Sequence, residues 1–249
     1  MKKYFWIATF FLSAFALPPK NKIKIFLAGD STMSVKEVKA YPETGWGMPF
    51  IHFFDSTVTV DNRAKNGRST RTFISEGLWE KLINDVKEDD YVFIQFGHND
   101  ESKEKTERYS SPEEYKNNLT KFITETIAKK AKPVLLTPVS RRRFKEGKTI
   151  ETHEVYSKVV RELSQQMKIP FIDLDKKSME LYQQYGEETS KLFFLQLQPG
   201  EHPNYPEGKI DNTHFSELGA RKVAQIVLQE IRNLNLELAD RIIKPVVKK

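Results

Sequence analysis

The chain has 249 residues, of which 39% are hydrophobic and 30% charged, with no cysteine and a formal net charge of +6. These proportions are those of a globular protein and exclude collagen-like, coiled-coil and largely disordered architectures. The lack of cysteine removes disulfides, thiolate zinc sites and a cysteine nucleophile, and so modest a charge does not by itself indicate nucleic acid.

Met1-Lys2-Lys3 precedes an uncharged run from Tyr4 to Leu17 that contains the small-x-small triplet Ala14-Phe15-Ala16. This pattern predicts a signal peptide over residues 1–16 and export to the periplasm or beyond, with one domain over residues 17–249. An uncleaved N-terminal anchor is the alternative, but the run is shorter than the roughly 20 apolar residues that span a bilayer. No later run is long and apolar enough to span one, so no stable membrane insertion is expected after processing.

Five short apolar segments bounded by turn residues then read as strands covered on both faces. They are Ile23 to Ala28, Val58 to Val60, Tyr91 to Phe96, Pro133 to Thr137 and Pro170 to Leu174. Helical spacing lies between them. Leu78, Leu82 and Val86 recur every four residues. Ser111-Pro112-Glu113-Glu114 offers an N-cap, a first-turn proline and the glutamate of a capping box, followed by a stripe at Tyr115, Leu119, Phe122, Ile123 and Ile127. Val155, Val159, Leu163 and Met167 form another stripe, and Ser216 caps a last helix carrying Ala220, Val223, Ala224, Val227 and Ile231. Lys244 to Lys249 read as a frayed basic tail. The alternation predicts an α/β protein, a three-layer α/β/α sandwich around a five-stranded parallel sheet.

Functional loops of such a sheet follow the C-terminal ends of its strands. After the first strand comes Gly29-Asp30-Ser31-Thr32. Ser31 reads either as a nucleophile at the crest of a tight turn, with its backbone N–H free for an oxyanion, or as a helix cap. After the second comes Asn62-Arg63-Ala64-Lys65-Asn66-Gly67-Arg68-Ser69, in which Gly67 offers another backbone N–H or simply makes a turn. After the third comes Gly97-His98-Asn99-Asp100. Asn99 has an amide able to donate to an oxyanion, and His98 has a structural or substrate-contacting role. Far along the chain, Asp211-Asn212-Thr213-His214 places an acid and an imidazole three residues apart, able to meet if the loop curls. A metal set of His202, Asp211 and His214 follows no recognised ligand spacing, and no cofactor is called for. Nucleophile, oxyanion donors and an Asp/His pair together are what acyl transfer requires.

These four segments, in this order, resemble the blocks of the SGNH hydrolase superfamily, or GDSL-type esterases. The longer matches Leu27 to Met33, Gly45-Trp46-Gly47, Asn66 to Ser69, Gln95 to Asp100 and Thr137 to Arg142 are similar to its rhamnogalacturonan acetylesterase branch. The resemblance implies a flavodoxin-like SGNH hydrolase fold. It implies a secreted serine esterase that deacetylates pectic rhamnogalacturonan through an acyl-enzyme, with Ser31, Asp211 and His214 catalytic. Ser31, Gly67 and Asn99 would hold the oxyanion, and Asp30 and Asp100 would brace the loops. Fungal members rely on disulfides, so this cysteine-free chain looks like a bacterial version. Arg141, Arg142 and Arg143 follow the fourth strand. Either one or two of them (Arg141 and Arg142 foremost) pair with galacturonate carboxylates, or the cluster is a solvated basic loop. Trp46 either stacks on a sugar ring or packs in the core or near the site, the packing reading being favoured. Esterases of other acetylated glycans, such as xylan or sialic acid, a general GDSL esterase, and a non-enzymatic carbohydrate-binding protein are the alternatives.

Overall fold

A computed structural model describes residues 21–244. The expected signal peptide, and all of the basic tail beyond Lys244, lie outside the described residues. In chain order the elements are β1 (Ile23–Gly29), α1 (Gly47–Phe50), β2 (Val58–Asn62), α2 (Thr70–Ser75), α3 (Leu78–Asp85), β3 (Tyr91–Gln95), α4 (Pro112–Ala128) and β4 (Lys132–Leu136). There follow a short hairpin of β5 (Phe144–Lys145) and β6 (Lys148–Thr149), then α5 (Glu154–Met167), β7 (Phe171–Ile172), α6 (Leu174–Thr189), β8 (Phe194–Leu197), β9 (Lys209–Phe215) and α7 (Glu217–Asn233).

The five expected strands form one parallel sheet in the order β2-β1-β3-β4-β7. Side chains alternate across it, so the inner strands, covered on both faces, are largely apolar, while the edge strand β2 carries an exposed Thr59 and half-buried Asp61 and Asn62. Ile25 and Leu27 of β1 face one core with Phe93, Leu136, Trp46, Phe50, Tyr182 and the buried face of α7. Phe26 and Ala28 face the other with Val92, Ile94, Phe73, Leu119, Phe122 and Leu163. Trp79 stacks on Phe122 with centroids 4.1 Å apart. Burying each such side chain contributes roughly 1.5–3 kcal/mol. Trp46 is fully buried, and its indole N–H donates to Gln95 Oε1 at 2.7 Å, so it packs in the core and presents no face to a sugar.

Four local expectations are corrected. On α5 the buried positions are Tyr156, Ser157, Val160, Leu163 and Ser164; of the expected stripe Leu163 is buried, Val159 and Met167 are only partly buried against the core, and Val155 is exposed. The Tyr156 hydroxyl donates to the Ser110 carbonyl at 2.7 Å, which lets the larger ring take the core place. On α4, Ile127 is exposed and Thr126 is buried instead, its hydroxyl donating to the Phe122 carbonyl at 2.7 Å. Ser111 does cap α4 by accepting from Glu114 N–H at 3.1 Å, but the Glu114 carboxylate is drawn to Arg71 rather than back to the cap. The reciprocal box occurs instead between Ser69 and Thr72 at the start of α2. The last sheet strand is only Phe171–Ile172, because Asp173 already caps α6.

Candidate active site

β1 ends at Gly29, and the next carboxylate, Asp30, is fully buried and shapes the turn. Its Oδ1 accepts from the Thr32 N–H at 2.9 Å and the Thr32 hydroxyl at 2.8 Å. Burial alone would raise this carboxyl. Attraction to His98, whose Nδ1 is 3.3 Å from Oδ2, and the Thr32 bonds outweigh it and hold the pKa at about 2. Ser31 follows, and its Oγ lies 2.9 Å from Nε2 of His214, a contact across 183 positions of sequence.

Asp211 and His214 sit on β9, an element the sequence pattern did not disclose. β9 pairs antiparallel with β8, but between the Phe194–Phe215 and Gln196–Ile210 partners the register shifts. The four residues Asp211 to His214 thus lie opposite the single residue Leu195. This bulge lets residues three apart meet on one side, which an unbroken strand forbids. Asp211 stabilises the curl itself. Its Oδ1 accepts from the Thr213 and His214 N–H groups at 2.7 and 2.9 Å, and its Oδ2 lies 2.8 Å from His214 Nδ1. Burial would raise the Asp211 carboxyl, but the His214 ring and these N–H bonds hold it well below the usual carboxylate range. The result is an unbroken file from carboxylate to imidazole to hydroxyl.

A cleft of about 350 Å³ opens over this file, and Ser31, His214, Gly67, Asn99 and His98 line it. Among the described residues, no hydrogen bond occupies the backbone N–H of Ser31 or Gly67. Gly67 has φ +73°, where glycine is favoured, and a Cβ there would stand 3.2 Å from Arg108 Nη1. Asn99 donates one amide hydrogen to the Arg68 carbonyl at 3.0 Å, which fixes the side chain and leaves the second hydrogen. Asp100 ties the loop after β3 to α2 by accepting from the Thr70 N–H at 2.9 Å, and burial pushes its pKa up to about 7. His98 is buried against His153, ring centroids 4.2 Å apart; burial and that neighbour push its pKa down to about 4, with Asp30 opposing.

The arginine cluster divides. Arg141 lines the cleft, held by Thr213 Oγ1 at 2.8 Å and Glu101 at 3.0 Å. Arg142 does not line it. It is buried, and its guanidinium is consumed by Ser190 Oγ, Asn212 Oδ1 and the Glu187 carbonyl, so the expectation that it meets substrate is corrected. Successive residues of an extended segment point to opposite sides, which separates the two. Sequence reasoning also missed Lys105, Arg108 and Glu43, which line the cleft, and Glu101, whose carboxylate joins Arg141 to His153 Nδ1 at 2.9 Å. Arg108 and Lys105 stand in a loop of alternating lysines and acids that carries no distinguishing pattern; only its position after β3 pointed to it. A larger cleft of about 730 Å³, lined by Arg161, Asp173 and Asp175, holds none of the expected site residues.

Residues 25–227 match the GDSL-like lipase/acylhydrolase family. The chain is similar to the rhamnogalacturonan acetylesterase RhgT of Bacillus subtilis, at 43% identity over 90% of this chain and 96% of that protein. It is also similar to a probable rhamnogalacturonan acetylesterase, YesY, of the same organism, at 35% identity over 88% and 97% of the two chains. Among solved structures, the YxiM protein of Bacillus subtilis superposes with a TM-score of 0.73 at 26% identity, over 89% of this chain and 59% of that one. The acetylxylan esterase Axe2 of Geobacillus stearothermophilus, at 19% identity and TM-score 0.59 over 85% and 94%, shares the fold. The chain belongs to the GDSL-like lipase/acylhydrolase family, and with it to the carboxylic ester hydrolases.

Proposed function

We propose that this protein is an exported serine esterase that removes O-acetyl groups from pectic rhamnogalacturonan through an acyl-enzyme. The observation that carries the mechanism is the file of hydrogen bonds Ser31–His214–Asp211 opening into a cleft. His214 Nε2 takes the Ser31 proton as Oγ attacks the acetyl carbonyl, and Asp211 holds the ring's other nitrogen and stabilises its cationic form. The N–H groups of Ser31 and Gly67 and the Asn99 amide receive the oxyanion, each typically worth on the order of 10²–10³ in turnover. The proton then passes from His214 to the departing sugar hydroxyl. A water, deprotonated by His214, attacks the acetyl-Ser31 ester and releases acetate, returning the proton to Ser31.

The substrate reading rests on the two Bacillus relatives and on the cleft's charge, where Lys105, Arg108 and Arg141 outnumber Glu43. Such a cleft suits a polyanionic sugar chain. Export rests on the N-terminal lysines and the apolar run from Tyr4 to Leu17. Acetate release from acetylated rhamnogalacturonan, compared with acetylated xylan and acetylated homogalacturonan, tests the substrate. Fastest release from rhamnogalacturonan is expected; a preference for xylan overturns it.

A further inference from the structure

Lys36 is the most unusual charged residue among those described. Its side chain has no solvent exposure, yet it sits within hydrogen-bonding reach of the cleft's main residues. An ammonium removed from water is costly unless all its hydrogens are received. Here three acceptors surround Nζ. They are the backbone carbonyl of Ser31, Asn66 Oδ1 at 2.8 Å and a Glu43 carboxylate oxygen at 2.7 Å. Ser34 Oγ reinforces the node by donating to the same Asn66 oxygen at 2.5 Å. The three partners come from three separate stretches: the loop after β1, the loop after β2, and the Glu43 segment before α1.

The partner atoms define what Lys36 can do. Nζ meets the Ser31 carbonyl, so it fixes the backbone of Ser31. Through Asn66 it holds the residue directly before Gly67. The two backbone N–H groups assigned to the oxyanion belong to Ser31 and Gly67, which stand on different loops and share no direct bond among the described residues. One ammonium therefore joins the carriers of both donors.

We propose that Lys36 is a positioning residue that holds the Ser31 and Gly67 N–H groups in register for the oxyanion, acting through the Ser31 carbonyl and the Asn66 side chain. This inference rests on the reading of Ser31 as nucleophile. A donor pair displaced by a fraction of an ångström binds the ground-state ester almost as before but the tetrahedral state much less well, so the effect falls on kcat. Glu43 balances the buried charge.

The test is steady-state hydrolysis of p-nitrophenyl acetate by the full protein and three variants. Lys36→Met keeps the apolar stem and deletes all three bonds. Asn66→Ala, on an exposed residue, deletes the link from Lys36 to the Gly67 turn together with the Ser34 bond to the same oxygen, leaves the Ser31 and Glu43 partners of Lys36 in place, and covers the case in which Lys36→Met fails to fold. The expected result is a fall in kcat of about 10- to 100-fold for Lys36→Met and about 10-fold for Asn66→Ala, with KM within about threefold of the parent. Ser31→Ala separates the two readings. If Ser31→Ala is inactive while the folded Lys36 and Asn66 variants keep the parental kcat, the role of Lys36 is overturned and the nucleophile stands; where Lys36→Met does not fold, a parental kcat in Asn66→Ala overturns it alone. If Ser31→Ala keeps full activity, the site reading fails and this inference falls with it.

Discussion

The Oγ of Ser31 and Nε2 of His214 stand 2.9 Å apart although 183 positions separate them in the chain. The strand end after β1 presents one atom and the bulge of β9 presents the other, so the contact reports the correct assembly of two elements on the sheet's C-terminal edge. It also makes the pair act as one unit. Ser31→Ala and His214→Ala should each lower kcat on p-nitrophenyl acetate by roughly 10⁴–10⁶, and the double variant should be no worse than the more damaging single one. Multiplying losses in the double variant would show that the two groups act independently.

Gly67 offers a sharper test of backbone geometry. At φ +73° an alanine is strained by about 1 kcal/mol, and its Cβ would press on Arg108 Nη1 at 3.2 Å. The flexible Arg108 side chain can give way by a few tenths of an ångström, so the strained φ is what shifts the Gly67 N–H. Gly67→Ala is expected to lower kcat by about 10- to 100-fold with a small change in KM and a melting temperature only a few degrees lower. A variant with parental kcat would mean that this N–H does not receive the oxyanion.

Much of this arrangement can be read in the amino-acid order, and the exceptions have physical reasons. The inner strands β1, β3 and β4 are legible because both their faces are buried, so each is a near-continuous apolar run, whereas the edge strand β2, with Thr59 exposed, shows only as the β-branched Val58-Thr59-Val60. Ser31 and Asn99 are legible as candidates because they follow such runs within a few residues, and Gly67 because it stands in the loop after β2. The β8–β9 hairpin is not: Asp211 to His214 are polar and bulged, so they follow neither a strand nor a helix period. The α5 stripe is misread in its first two turns, where Tyr156 and Val160 take the places expected of Val155 and Val159, because a tyrosine with an anchored hydroxyl outcompetes a valine for the core. Lys36 is invisible as a site residue, since a lone lysine in a loop has no pattern and its burial depends on Glu43 and Asn66 arriving from elsewhere.

His98 gives the protein an acid-sensitive element. Burial and the neighbouring His153 depress its pKa from an ordinary 6.5 to about 4. Between those values the unfolded chain binds a proton that the folded chain refuses, so stability falls as pH drops from about 6.5 to 4. The full contribution is on the order of 3 kcal/mol. Asp30 works in a lower window: its carboxyl is held at about 2 against 3.8, so the stability it confers is present above about pH 4 and lost as pH falls toward 2. Denaturant titrations of the parent and His98→Gln at pH 7, 5 and 4 should converge toward acid, with the variant losing less stability. Parallel pH profiles for the two proteins would rule out His98 as the source.

Arg141 and Arg142 are adjacent in sequence and should give opposite results on substitution. Arg141 borders the cleft, and alanine there removes a cation from the wall that the proposed polyanionic substrate would meet. Its activity on p-nitrophenyl acetate should stay within about threefold of the parent, while KM for acetylated rhamnogalacturonan rises by about tenfold, one charge-assisted contact being worth roughly 1.5–3 kcal/mol. Arg142 is buried, and its loss takes a charged donor from Ser190 Oγ, Asn212 Oδ1 and the Glu187 carbonyl, leaving only the neutral bonds of Ser190 Oγ to the Glu187 carbonyl at 3.2 Å and of Gln196 Nε2 to Asn212 Oδ1 at 3.1 Å. Arg142→Ala should therefore destabilise by about 3 kcal/mol, a fall of roughly 5–10 °C in melting temperature. Because Asn212 is the neighbour of Asp211, both substrates should lose kcat to a similar degree. Melting curves and paired kinetics on the two esters check all of this. A selective loss on the polysaccharide in Arg142→Ala, with an unchanged melting temperature, would reverse the assignment of the two arginines.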